Sequence, residues 1–304
     1  MPSVSIESEA IRVGEHFSLS FKRTLRIPDD GTEHQTPPNF GVFPIYRVSD
    51  YADRLPESWR REGGVFIPMY QREALYLRFE NEKPWQPCAV KVALGQINAV
   101  SGERETTSLS TNQQDYLVCP PQLWLDGINS GRGSVRQFIA MPLGTGATVE
   151  GALSGKEEFG GVQITIFAPK PGAFPDSPPA VRTALRPTAL RRGPVASGRE
   201  MGLGAGGTVK EKILPDPHGV ETWDQKNLAQ IHVRLLNSAE FREVTGLEPP
   251  ATTVNAETYR AQQFPWFPLY GEAVQGDVAP AEKLAQARTI ADRDAERKNS
   301  PAEG

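Results

Sequence analysis

Between residues 60 and 170 glycine and proline cut the chain into apolar runs too short for anything but strands. Val65–Tyr70, Ala74–Phe79, Cys88–Leu94, Asp115–Cys119, Val135–Leu143 and Gly161–Phe167 follow one another, with turn residues between them. Several alternate with a period of two, which puts successive side chains on opposite faces of a strand. Short strands with a turn about every ten residues predict a sandwich or a barrel. Strands and helices do not alternate, so a doubly wound α/β fold is not expected. Prolines add detail. Pro44 lacks the ladder donor and confines Val42–Tyr46 to a sheet edge, and Pro120-Pro121 stops the strand before it. Asp126-Gly127, inside an apolar run, predicts a hairpin turn.

The rest of the chain is less regular. Phe17, Leu19 and Phe21 continue the period of two, and Pro28-Asp29-Asp30-Gly31 ends that strand in a turn. Tyr51, Leu55 and Trp59 are spaced by four and share a helix face, but Pro56 limits that helix to a turn or two. After Phe167 the pattern changes to interspersed Pro and Arg with few large apolar residues. The predicted fold is mainly β, a β-sandwich or double-sheet core with a smaller α+β C-terminal part. Its expected divisions are a β-rich core over residues 1–168, a linker or long loop over 169–200, the smaller α+β part over 201–271, and a polar tail over 272–304 that forms at most a marginal, fraying helix.

Charge and composition narrow the function. A net charge of -4 and a pI near 5.7 argue against a nucleic-acid-binding domain, which is usually basic. No apolar stretch approaches the roughly 18 residues of a membrane helix, and the N-terminus lacks a leader pattern. A soluble cytoplasmic protein with no membrane span is expected. Its two cysteines, Cys88 and Cys119, are then read as small buried thiols.

The most conspicuous candidate site is glycine-rich. Gly202, Gly204, Gly206 and Gly207 can turn backbone N–H groups toward an anion, and Lys210 and Lys212 follow. The pattern matches neither a Walker A loop nor a dinucleotide-binding turn. Its alternative reading is a flexible loop or a tight crossing of backbones between packed strands. Asp216-Pro217-His218-Gly219 with His232 offers metal-ligand chemistry, but the same residues read as a turn and a packed histidine, and no metal or cofactor is expected. Asp126, Glu150 and Glu157 are the carboxylates considered for acid–base work, against turns or solvated strand faces. No Gly-x-Ser-x-Gly elbow is present, so no catalytic residue is assigned. Phe264–Tyr270, with Pro265 and Pro268, reads as an extended apolar clasp on the chain itself or a docking segment for another.

Trp124–Ile128, Val135–Gly144, Thr148–Gly151, Gly160–Ile164, Met201–Gly207 and Pro265–Phe267 together resemble a family of uncharacterised microbial proteins over most of residues 15–270. Some members carry the label "integral membrane protein", from which this chain departs. The resemblance implies no reaction, cofactor or catalytic residue. It does imply that the halves flanking the linker form one unit. The function expected from these residues is non-enzymatic, a binding or self-assembling role with a homo-oligomer or another protein as partner. The alternatives are a hydrolase or transferase whose site is gathered from distant loops, and a phosphate or nucleic-acid binder using the basic stretch 182–212.

Overall fold

The computed structural model describes residues 2–131, 133–178, 200–250, 278–279 and 281–299. Most of the expected linker and the whole Phe264–Tyr270 segment lie outside them. The protein is mainly β, with few and short helices. Its described strands join into one sheet. The main path runs antiparallel from β1 (Val4–Ile6) through β2 (Ile11–Val13), β3 (Phe17–Thr24), β8 (Ala74–Asn81), β14 (Ser134–Pro142) and β16 (Glu200–Lys210). It continues through β17 (Trp223–Asn237) and β15 (Val162–Pro169) to β9 (Cys88–Leu94). Shorter strands fill its margins. They are β4 (Glu33–His34), β5 (Asn39–Val42), β6 (Tyr46–Arg47), β7 (Val65–Met69), β10 (Ile97–Asn98), β11 (Leu117–Cys119), β12 (Trp124–Leu125) and β13 (Gly127–Gly131). Two margins are parallel, β4 beside β16 and β7 beside β17.

The sheet curls until both ends of this path share one core. Phe17, Leu77 and Phe79 from one end pack in the same cluster as Val90, Val92, Ile164 and Ile166 from the other. This explains why β9 is buried at all seven positions although its sequence alternates. Its inner face meets that core, and the loop over residues 103–116 covers its outer face. Lys91 is the polar member of that outer face. It is ion-paired to Asp115 at 2.9 Å and Glu105 at 3.4 Å, and donates to the carbonyls of Thr106 and Ser108. A buried ammonium needs such a cage, because leaving it unpaired costs several kcal/mol.

A second cluster covers the outer face of β7 and β17. Leu55, Trp59, Phe66, Phe241 and Val244 form it, with Tyr51 half-buried beside them. The spacing of Tyr51, Leu55 and Trp59 does place all three in one cluster. A single helix does not carry them, because the chain breaks before Pro56 into a 3-10 segment, Val48–Arg54, and α1 (Glu57–Glu62). Cys88 and Cys119 are free, buried and directly opposite one another on β9 and β11. Burial pushes the Cys88 thiol up to about 12, so it is not a nucleophile at neutral pH.

Two expectations change. Asp126-Gly127 does not turn a hairpin: β12 pairs with β8 and β13 pairs with β14. Gly127 is needed because a side chain there would strike the Arg136 carbonyl on β14. The segment after residue 272 is also more than a polar tail. It forms α4 (Glu282–Ala285) and α5 (Ile290–Asn299), which pack on β13 and β16 and bury Leu284 and Ile290. Polar ties fix it further, from Arg72 to Asp294 at 2.6 and 2.7 Å and from Asn129 to the Ala279 carbonyl at 3.2 Å. The stretch 201–250 supplies β16, β17 and α3 (Ser238–Thr245), and both strands lie inside the main path.

Burial of Leu284 gives a direct test of this docking. Leu284→Ala is expected to lower stability by about 2–5 kcal/mol in urea unfolding, as large-to-small changes in packed sites do. A loss below about 0.5 kcal/mol would show that the C-terminal helices are not held on the sheet.

Candidate functional site

The glycine cluster is strand, not loop. Gly202 and Gly204 stand opposite Met141 and Ile139 within the β14–β16 ladder. Between Arg136 and Phe138 the register shifts, so Gly206 and Gly207 bulge opposite the single residue Gln137. The chain over residues 25–28 crosses this bulge. The Gln137 amide ties it down, accepting from the Ile27 N–H at 3.0 Å and donating to the Leu25 carbonyl at 2.7 Å. A Cβ on Gly207 would collide with the Pro28 carbonyl, and one on Gly206 would lie 2.6 Å from Ile139. Close backbone approach thus accounts for Gly204 and Gly207, and contact with the Thr148 and Ile139 side chains for Gly202 and Gly206. Lys210 pairs in the ladder with Ser134, and the Lys212 side chain runs beneath Gly133.

The other candidates are dispersed. Asp216 accepts from the Tyr116 hydroxyl at 2.7 Å and the Trp223 indole at 2.9 Å, and the His218 ring lies edge-on to Phe174. His232 instead sits on β17 facing Glu62 at 3.5 Å. Among the described residues no group of three or more His, Cys, Asp or Glu side chains is placed to hold a metal. Glu150 and Glu157 brace a loop. Glu150 accepts from the N–H groups of Glu158, Phe159 and Gly160, each at 2.9 Å. Glu157 accepts from the Thr148 hydroxyl at 2.6 Å and the Gly146 N–H at 2.9 Å. Burial pushes the Glu157 carboxyl up, but hydrogen bonds from Thr148, Gly146 and Gly144 outweigh it and hold it below its ordinary range. Asp126 is wholly buried beside Glu211, with no opening to solvent.

These loop braces build one side of a groove of about 1010 Å³ among the described residues. One wall is the Gly95-Gln96 turn between β9 and β10, with both φ angles positive. The second wall is α2 (Val149–Ser154) and the Glu150-braced loop after it. Thr148 caps that helix by accepting from the Gly151 N–H at 3.0 Å. The third wall is the docked C-terminal segment, residues 283–293.

Five cationic side chains line the groove, Arg104, Lys156, Lys283, Arg288 and Arg293, against the carboxylates of Glu103, Glu150 and Glu158. Glu150 is consumed by the three backbone amides. Lys156 and Lys283 pair with Glu158 and Glu103, and Arg288 with Glu296, all exposed. Exposed pairs contribute about 0–1 kcal/mol, so a ligand anion can displace them. Arg104 donates to the Gln96 amide oxygen at 3.3 Å and, among the described residues, pairs with no carboxylate. The Arg293 Nε is buried without a hydrogen-bond acceptor. A chain of net charge -4 thus presents a locally positive groove.

Sequence reasoning did not find this groove. Its cations lie in three separate stretches, and only the folded C-terminal segment brings them together. Compared with protein-family models, curated proteins and solved structures, the chain matches none.

The bulge gives its own test. Gly207→Ala is expected to cost about 1–3 kcal/mol of stability in urea unfolding, as overpacking does. An unchanged midpoint would mean that residues 25–28 do not cross β16 at contact distance.

Proposed function

We propose that the protein is a non-enzymatic binding protein whose groove takes a multiply anionic ligand, phosphorylated or polycarboxylated. One observation carries this reading: five cations converge on a groove of about 1010 Å³, and among the described residues two of its arginines, Arg104 and Arg293, have no carboxylate partner. Arginine suits the role because its planar fork matches phosphate and carboxylate oxygens. The groove lacks an activated nucleophile. Ser154 is the hydroxyl in its wall, and it donates to the backbone carbonyls of Glu150 and Lys156 rather than to a base.

Calorimetric titration with inorganic tripolyphosphate at low salt tests it. Hydrogen bonds to charged groups are worth about 1.5–3 kcal/mol, so the Arg104→Ala/Arg293→Ala double variant is expected to bind at least about tenfold more weakly. Binding by the wild type should also weaken as salt is added. Equal affinity in the double variant removes the groove as the site.

Self-assembly is the second reading, and a strand edge favours it. Among the described residues β1 pairs with one strand only, β2, the Arg47 guanidinium donates to its Ile6 carbonyl at 3.0 Å, and its Val4 is 41% exposed. Such an edge can pair with a second copy. Native mass spectrometry is expected to show a dimer that Val4→Pro, which removes an N–H facing away from β2, converts to monomer. A monomeric wild type ends this reading.

A further inference from the structure

Asp126 and Glu211 form a second unusual group, remote in chemistry from the groove. Both carboxyls are buried, at 0% and 2% exposure. They touch through the backbone, the Asp126 N–H donating to Glu211 Oε2 at 2.8 Å. Glu211 Oε1 accepts from the Gln122 amide at 3.3 Å. Among the described residues both carboxyl oxygens of Asp126 are buried with no hydrogen-bond donor. Among the described residues neither carboxyl has an ion pair. Two adjacent buried carboxylates with no cation are too costly to coexist.

We propose that Asp126 and Glu211 together bind a proton at neutral pH, and that its loss loosens the strand end carrying the C-terminal segment. The connection runs through a few hydrogen bonds. Gln122 also spans to the Trp124 and Lys212 carbonyls and accepts from the Leu214 N–H, clamping the chain just after β16. Between Lys212 and Leu214, Ile213 accepts at 2.9 Å from the N–H of Val278 in the C-terminal segment. Charging the pair therefore strains the same few residues that anchor α4 and its groove wall.

The titration supports this geometry. Burial pushes Asp126 up to about 7, and burial followed by the Asp126 charge pushes Glu211 well above the usual carboxyl range. The proton belongs to the pair rather than to either residue. Tyr76 on β8 is the titratable group that faces Asp126 from the neighbouring strand, with Arg78 and Glu80 acting on it. Burial, then the Asp126 charge, raises its hydroxyl, so it stays neutral through this range. The sign follows. An unfolded chain releases these protons near pH 4, whereas the folded chain keeps them. The contribution to stability is fully present below about pH 4 and is lost as pH rises through the raised titration range of the pair.

Urea unfolding of wild type, Asp126→Asn and Glu211→Gln from pH 5 to pH 9 tests this, with hydrogen exchange of residues 211–214 and 278–287. In the wild type one retained proton is expected to change the unfolding constant by up to about tenfold per pH unit, and exchange in both segments to rise toward pH 9. Either variant should flatten that slope and slow the exchange at pH 9. Infrared spectra of the wild type at pH 6 should show the carbonyl stretch of a protonated carboxyl, a readout that needs no variant. Equal slopes in wild type and variants, or absence of that band, overturn the proposal. So does stabilisation by added calcium at pH 8 that Asp126→Asn abolishes, since the pair would then hold a cation. No ligand of the groove enters these measurements, so the result is independent of what the groove binds.

Discussion

The close approach of three backbones at the β14–β16 bulge is the constraint on which the rest of the fold depends. β16 is the strand through which the two ends of the sheet path connect, with β14 and β8 on one side and β17 and β15 on the other. At Gly206-Gly207 it also receives the crossing chain over residues 25–28. That crossing leads from β3 toward β4, which returns to pair parallel with β16. Side chains at the bulge would hold the crossing chain away from the sheet. Gln137, fully buried, replaces the lost ladder contacts with two hydrogen bonds from its amide.

Buried and half-buried polar groups do much of the remaining organisation, several of them with partners supplied by backbone. Glu150 gathers three consecutive amides, Glu157 gathers the approach to α2, and Lys91 draws the loop over residues 103–116 across β9. The buried Arg23–Glu73 pair joins β3 to the turn before β8 at 2.6 Å. Loops secured this way can hold cationic side chains at fixed positions, because their own charges are already compensated inside. The groove is a consequence of that division. Its carboxylate with the most partners, Glu150, faces the backbone, while the arginines face the opening. Asp126, next to Glu211, is the exception: among the described residues its buried carboxyl oxygens have neither a cation nor a hydrogen-bond donor, and so a proton rather than a side chain completes the balance there.

Much of the fold was legible in the sequence. Period-two patterns in Cys88–Leu94 and Gly161–Phe167, the stop at Pro120-Pro121 and the i, i+4 spacing of Tyr51, Leu55 and Trp59 are local, and local patterns determine strand existence, edges and which residues are apolar. The mainly β class follows from them. Local signals misled where a long-range contact overrode them. Asp126-Gly127 has turn chemistry, but Gly127 is set by the Arg136 carbonyl on another strand, and Asp126 by Glu211, far along the chain. One signal for Asp126 was available, a carboxylate inside the apolar run Leu123–Ile128.

The candidate site was not legible. Its arginines and lysines look like ordinary surface charges in the sequence, and the segment that brings three of the five reads as a marginal helix with small apolar positions. Among the described residues it buries Val278, Leu284 and Ile290, with the small Ala281 and Ala287, against the apolar surface of the sheet. Sequence by itself determined the strands, the apolar faces and the scarcity of helix, since these depend on neighbours a few residues away. Tertiary structure alone decided the meaning of the glycines, the pairing of the buried carboxyls and the sign of the groove, since each depends on groups about 85 to 190 residues apart meeting in space.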